Sequence, residues 1–426
     1  QTCRLAQTLC GALSAPMWGR LVDTRNRVEL LVLSMFVWSA ATGIIGLSSS
    51  LLVITAARCV NGVALTALNP LVASLASDLF PSERRGQVFG IVTAISAVGH
   101  IIGSVMTTDM SEKSILGIAG WRVAFYIIAI ASCFGAMLVR RIAKDPPRGI
   151  ADGYSNISTI KNDEIDDDID KKRKMMMKES FVSFNDAIAL IFRNKTFLAI
   201  TFQGIWGSVP WKAFVFLTFW LQYTGFSDGM AASINSCFAI GHLLGGLIGG
   251  RVGDMAAKRS PNHGRIYVAQ FSDLMRLPLI LILFRVLPSR DSGATAYALV
   301  LFSIGLISPW VSIASNKPIL CEIVAPNLRG QIFAYQRLIE QSSAALFGAP
   351  LVGWLCENVF GYQLPSRGSH QVGINHANAH ALARSMEAIT LVCWGLCFFL
   401  YGVVHFTYPA DKRRREKQVK SGVMKE

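Results

Sequence analysis

"RGQVFG" runs from Arg85 to Gly90, and "RGQIFA" returns from Arg329 to Ala334. Each copy follows a proline, Pro81 in one case and Pro326 in the other. A second echo precedes them: "GRLVD" (Gly19 to Asp23) before the first and "GRVGD" (Gly250 to Asp254) before the second. The two motifs recur in the same order, with two apolar spans between the members of each pair. The second pair is spaced more widely, and the segment "KRSPNHGR" (Lys258 to Arg265) absorbs the difference. One short match arises by chance, but two in matching order point to duplication. Each half then reads as six helices, the first half lacking its opening one, with a parallel pseudo-twofold axis between them.

Composition sets the class of protein. A soluble domain carries about 25% charged residues, whereas this chain has 16%, with 52% hydrophobic residues. Apolar stretches recur near 3–18, 29–47, 51–77, 88–106, 123–139, 197–223, 230–250, 266–287, 296–321, 330–359 and 386–406. Most approach the ~20 residues that a helix needs to cross a ~30 Å hydrocarbon layer. No soluble core has enough perimeter to cover so many. The chain reads as an all-α polytopic membrane protein with eleven visible spans.

The net charge of +14 raises the question of nucleic acid, and its placement answers it. One alternating set of loops holds 29 of the 41 Lys and Arg residues, and the other set holds six. The positive-inside rule makes the rich set cytoplasmic. The charge is topology, and nucleic acid is not an expected partner. With the basic tail inside, eleven spans put Gln1 outside, so the reading expects one more span upstream. The organisation is an N-terminal bundle over 1–140, a cytoplasmic connector over 141–195, a C-terminal bundle over 196–408 and a basic tail over 409–426. The middle of the connector alternates acidic and basic blocks and reads as disordered, with a short amphipathic helix near 184–192. Its sequon at Asn156 faces the cytoplasm and is not expected to carry glycan.

"GRLVDTRNR" resembles the loop signature of the major facilitator superfamily, G-x-x-x-D-[RK]-x-G-[RK]. Gly19, Asp23 and Arg27 match it; Thr24 and Asn26 depart from it. "RCVNGVA" (Arg58 to Ala64) is similar to that family's pattern R-x-x-x-G-x-[GA], and "GWRVAFYI" (Gly120 to Ile127) resembles spinster-like members. "AQFSDLMRLPL", "FGAPLVGWL" and "NAHALARSMEAI" resemble a plant-type spinster-like branch. The resemblance implies two bundles around a central cavity that opens alternately to each side. It also implies a cytoplasmic gate built from Gly19, Asp23, Arg27, Arg85, Gly250, Asp254 and Arg329. On this reading Asp23 pairs with Arg85, and Asp254 with Arg329, when the inner side closes. The competing reading makes these residues positive-inside anchors.

A lone charge in mid-bilayer costs at least about 2.5 kcal/mol, so charges within spans mark a wet cavity or a partner. Candidate cavity residues are Arg58, Asn61, Gln203, Trp206, Lys212, Glu340 and Gln341. For Glu340 the alternative is a local ion pair with Arg337, at i−3. Asp273 and Arg276 are spaced to satisfy each other, and Lys317 and Glu322 are expected to snorkel. A subtler echo is "AVGHIIG" (Ala97 to Gly103) against "AIGHLLG" (Ala239 to Gly245). Gly99, His100, Gly103, Gly241, His242 and Gly245 are expected to pack the two halves together, the histidines being either pH-coupled or incidental. His100 stands where the resemblance would place an antiporter proline.

The nine cysteines are scattered and read as small apolar packing. His370, His376 and His380 read as loop polarity, so no metal is expected. No phosphate loop or catalytic constellation is present, and neither enzyme activity nor a cofactor is expected. Two functions remain. One is a secondary transporter of a small organic or lipid-like solute, with proton coupling as an option, working as a monomer. The other is a non-transporting receptor or scaffold on the same fold. The membrane is the plasma membrane or an endolysosomal or vacuolar one.

Overall fold

The computed structural model describes residues 2–111, 114–115, 117–152, 184–287, 293–362 and 376–424. The acidic–basic middle of the connector, its sequon and His370 lie outside these residues. The first half contains α1 (Thr2–Thr24), α2 (Arg27–Leu47), α3 (Leu51–Thr66), α4 (Leu68–Leu79), α5 (Arg85–Ser111) and α6 (Gly120–Ile142). α3 and α4 run almost end to end across Ala67 as one membrane-length segment. A two-residue hairpin, with Ser114 opposite Ala119, joins α5 to α6.

The second half opens with α7 (Phe184–Phe192) and α8 (Lys195–Ala213). Pro210 removes one helical donor, and the helix breaks into a 3₁₀ turn at Phe214–Phe216 before α9 (Leu217–Tyr223). Then come α10 (Asp228–Arg259), α11 (Gly264–Leu281), α12 (Ala294–Ile307), α13 (Lys317–Glu322), α14 (Arg329–Asn358) and α15 (His376–Met424). π-helical segments at Ile282–Val286 and Val311–Asn316 extend α11 and join α12 to α13.

Eight of these segments are long and apolar enough to cross a membrane, among the described residues. The segments at 2–24, 195–223 and 329–358 are not in that set. Their composition is mixed, and α1 and α14 are two of the helices that carry the repeated polar motifs. Large apolar side chains cover the outside of the bundle, including Leu52 at 81% and Phe406 at 82% exposure. Water would not tolerate such a surface at this extent, but lipid accepts it.

Polar residues punctuate the apolar runs. The Asn26 carboxamide oxygen accepts the backbone N–H of Val28 and of Glu29 and starts α2; Asn194 does the same for Phe197 in α8. A 3₁₀ turn precedes both repeated hexapeptides, Ser82–Arg84 before α5 and Pro326–Leu328 before α14. The duplication is therefore visible in backbone as well as sequence.

α15 differs from expectation. A span and a separate tail were anticipated, yet one helix continues from His376 through Pro409 to Met424. Contacts on the extension offset the bond that proline removes. Asp411 accepts both the N–H and the Oγ–H of Thr196, at 2.9 and 2.7 Å, and so caps α8; Lys412 reaches Glu322 at 2.9 Å.

Two helix pairs carry most of the junction between the halves, α1 against α14 and α5 against α10, and α4 also meets α14. A core cluster bridges the halves as well, with Ala73, Ala76 and Phe89 from the first and Ile332, Phe333 and Tyr401 from the second.

Candidate functional site

The hexapeptides form one construction, built twice. Arg85 and Arg329 each open a helix, where a cation opposes the helix dipole. Each therefore turns back to the carbonyls that end the preceding helix. Arg85 donates to Ser77 O at 2.7 Å and Phe80 O at 3.2 Å; Arg329 donates to Cys321 O at 3.3 Å. Those carbonyls lack intrahelical partners.

The following glycine leaves the helix N-terminus open to the other half. Asp254 of α10 accepts the N–H of Gly86 at 3.0 Å and of Gln87 at 2.8 Å. Asp23 of α1 accepts the N–H of Gly330 at 2.8 Å and of Gln331 at 2.9 Å. A carboxylate on the first turn of a helix satisfies orphan donors and favours the dipole together. The glycines permit the approach. A Cβ on Gly86 would stand 2.6 Å from the Asp254 carboxylate, and one on Gly250 would stand 2.2 Å from Gly86 O. Gly330 and Gly19 face each other in the same way across the other junction.

This corrects the expected pairing. The acids reach across to the opposite half, and their partners there are backbone N–H groups rather than Arg85 and Arg329. Arg27 is fully buried and stays within its own half, bound to Asp145 at 2.8 Å, to Ser74 at 3.0 Å and to Asp78.

Asp78 was missed in the sequence. It is fully buried at the end of α4 and binds both Arg27 and, across the halves, Arg329 at 2.7 Å. Arg265 was also missed. It contacts Asp254 at 3.0 Å and Glu322 at 3.7 Å, and it donates across the halves to Ser82 O at 2.8 Å. A signal for both existed: Asp78 and Glu322 stand at the same offset before Arg85 and Arg329, and Arg265 is the counterpart of Arg27 displaced by the longer loop. Glu322 does not snorkel, because it joins Arg265, Tyr408 and Lys412 in a network on this basic face. Lys317 lies 5.4 Å from the centre of the Phe89 ring, across the interface.

The second glycine echo is also corrected. A Cβ on Gly99 or Gly103 would meet nothing within 4 Å, and His100 is exposed. Gly241 and Gly245 pack inside their own half, against Phe302 and Leu306 of α12, and His242 stacks on Phe238. The actual crossing lies nearer the basic face, where Gly90 meets the backbone of Gly246. The halves touch at that end of α5, and further along it Gly99 and Gly103 face open space.

The cavity candidates separate into two groups. Asn61 and Gln203 are buried inside their own bundles. Asn61 faces Thr42 at 3.4 Å, while Gln203 accepts from Asn316 and Tyr401 at 3.3 Å each. Arg58, Trp206, Lys212, Glu340 and Gln341 are half-buried. Arg58 reaches Gln7 at 3.5 Å and lies 5.7 Å from the Phe125 ring centre. Trp206 meets Phe202 edge-on, and Lys212 packs under Gly348. Glu340 accepts from Gln336 at 2.9 Å and lies against Gly204, and the local pair with exposed Arg337 is not formed. Among the described residues, no hydrogen bond or ion pair joins Arg58 to Lys212 or Glu340. Asp273 and Arg276 do pair, buried, with Arg276 stacked 4.1 Å from the Trp394 ring centre. No group of three or more metal-ligating side chains occurs among the described residues.

Two bundles of apolar helices, duplicated in sequence and clasped at one face by paired motifs, define a polytopic membrane protein of pseudo-twofold design. The chain belongs to the Major Facilitator Superfamily, whose profile matches residues 5–349. It is 23% identical to Protein spinster of Drosophila melanogaster, over 81% of this chain and 53% of that protein. It is also 23% identical to Protein spinster homolog 3 of Mus musculus, over 86% of this chain and 70% of that one. The chain thus spans about half the length of the Drosophila relative. Among solved structures, a bacterial homolog to the human lysosomal transporter Spinster, inward-facing and unoccupied, aligns over 96% of this chain and 95% of that one (TM-score 0.56, 16% identity). The proton:xylose symporter XylE aligns over 93% and 85%, with a TM-score of 0.61 at 12% identity. These structural likenesses concern the fold.

Proposed function

We propose that the protein is a secondary transporter that moves a small organic or amphiphilic solute by alternating access, here with its cytoplasmic gate closed. The observation that carries this reading is the reciprocal clasp, Asp23 on the α14 N-terminus and Asp254 on the α5 N-terminus. Each acid holds the opposite half by two hydrogen bonds in a charged, basic-face setting. Such contacts are worth about 1 kcal/mol each, enough to bias an equilibrium without locking it. A static scaffold has no use for a clasp of that strength made twice. With this face shut, the open space beside Gly99 and Gly103 and the half-buried Arg58, Lys212 and Glu340 belong to a cavity open to the other side. Arg58 and Lys212 suit a solute with an anionic group, and the spinster-like relatives make lipid-like solutes candidates.

The test is uptake of a mixed metabolite and lysolipid library into proteoliposomes, with and without a pH gradient. Accumulation of one class, lost on Arg58→Ala while the protein stays folded, is the expected result. No accumulation of any class under either condition would leave the receptor reading in its place.

A further inference from the structure

The two copies of the clasp differ sharply at one position on their membrane side. Counting back from Arg85 and Arg329 matches Ser77 to Cys321 and Asp78 to Glu322, and it sets Lys317 against Ala73. Ala73 is buried in the core cluster that bridges the halves. Its counterpart is a cation. Lys317 stands five residues before Glu322, and Phe89 stands four residues after Arg85. At about 1.5 Å per residue both lie roughly 6–8 Å from the clasp, toward the membrane interior.

Residues 313–316 before Lys317 and 318–321 after it are all buried, whereas Lys317 itself keeps partial exposure. The chain on either side is packed all round, and the ammonium lies 5.4 Å from the ring centre of Phe89, a residue of the other half. The space it borders is therefore between the halves. Among the described residues it forms no hydrogen bond or ion pair, and the ring is what it meets. Arg337, Glu340, His242 and the Cys321 thiol are the titratable groups that bear on it. An unpaired cation at membrane depth is costly. The backbone is irregular at the same point, because the π-helical segment Val311–Asn316 ends at Lys317 and Pro318 follows. Such segments are frequent at functional sites.

We infer that Lys317 receives the anionic group of an amphiphilic solute, a carboxylate or a phosphate on an apolar body, in the space directly above the closed clasp. The inference rests on the transport reading and adds to it the residue that selects charge beside the gate. An ammonium presents three donors on a flexible stem with no fixed plane, so it suits either oxyanion. A charge-assisted hydrogen bond to an anionic oxygen displaces the ring, and the freed face of Phe89 then offers apolar contact to the body of the solute. Phe89 belongs to the helix whose first turn Asp254 clasps. Withdrawal of Lys317 thus removes one contact that holds the halves together.

The test follows the melting temperature of the 426-residue chain in phosphatidylcholine nanodiscs during titration with oleoyl lysophosphatidate, oleate and monoolein, the last being the uncharged analogue. Partition into the bilayer is common to parent and variant, so differences between them report the site. The parent chain should bind at least one of the two anions about tenfold more tightly than monoolein, and the tighter anion names the group. Lys317→Met should abolish that preference and leave monoolein binding within about twofold. A loss in Lys317→Met with unchanged or raised melting, or a loss that Lys317→Arg rescues, supports the assignment. A loss with lowered melting that Lys317→Arg does not rescue would make the lysine a packing element and overturn it. No preference in the parent, or a preference that survives Lys317→Met, would overturn it as well. Uptake into proteoliposomes separates this inference from the transport reading. Anion binding at Lys317 without uptake keeps the site and removes transport, whereas parent-like uptake of the anion by Lys317→Met keeps transport and removes the site.

Discussion

Asp78 holds two arginines at once, one from its own half and one from the other, with no solvent to screen them. Removing one partner of a buried charge network is costly because the rest stays buried and uncompensated. Asp78→Asn should therefore destabilise the closed arrangement by about 3 kcal/mol. The expected readouts are a lower melting temperature in detergent and greater reactivity of cysteine probes from the cytoplasmic side. Unchanged melting and unchanged labelling would reduce Asp78 to a bystander. Glu340 calls for a different measurement. It is half-buried, accepts a neutral amide from Gln336, and has Lys317 and Arg337 as the cations that bear on it among the described residues. If Glu340 changes protonation during transport, Glu340→Gln should flatten the pH dependence of uptake. A full pH profile in that variant would leave the carboxylate a packing role against Gly204.

At the level of elements, what matters is how closely helices cross. Gly250 touches the backbone of Gly86, and backbone cannot rotate aside as a side chain can. Gly250→Ala should hold α5 and α10 apart at the basic face, shift the protein toward the inward-open state and slow turnover at least about fivefold. Its stability in the open state should change little, because the methyl clashes only on closure. Cytoplasmic labelling no greater than in the parent protein would contradict this. Further along α5, Gly103 faces open space. A cysteine there should react with a membrane-impermeant thiol reagent from the outer side, and Gly250→Ala should suppress that reaction. Together the two variants test whether α5 rocks as a lever between its two glycine stretches.

For the whole molecule, the two clasps lie on different helix pairs and share no residue. Their effects should add. Asp23→Ala and Asp254→Ala should each shift the gate about fivefold, and together about twenty-five-fold, measured by cysteine accessibility. A double variant no worse than either single one would mean that one clasp carries the closure alone. The exchange of Asp23→Arg with Arg85→Asp separates the two possible pairings. Because Asp23 binds backbone in the opposite half, the exchange should restore nothing.

Much of this was legible in the sequence. Span length and hydropathy made the chain a membrane protein because lipid leaves a helix no other way to satisfy its backbone. The doubled motifs revealed two related halves, and the enrichment of Arg marked the face where they meet. Glycine followed by exposed N–H groups, with an acid four residues after another glycine, already contained every part of the clasp. The sequence could not say which half each acid would grip, because a duplicated motif offers two equivalent partners. Only tertiary structure breaks that tie. A helix N-terminus at the end of a bundle is open toward the opposite bundle, so the free N–H groups of Gly86 and Gly330 are accessible from across the interface. The same limit applied to the second glycine echo. Gly99 and Gly241 are alike in spelling, but only tertiary packing decides that Gly241 meets the backbone of α12 in its own half while Gly99 faces open space.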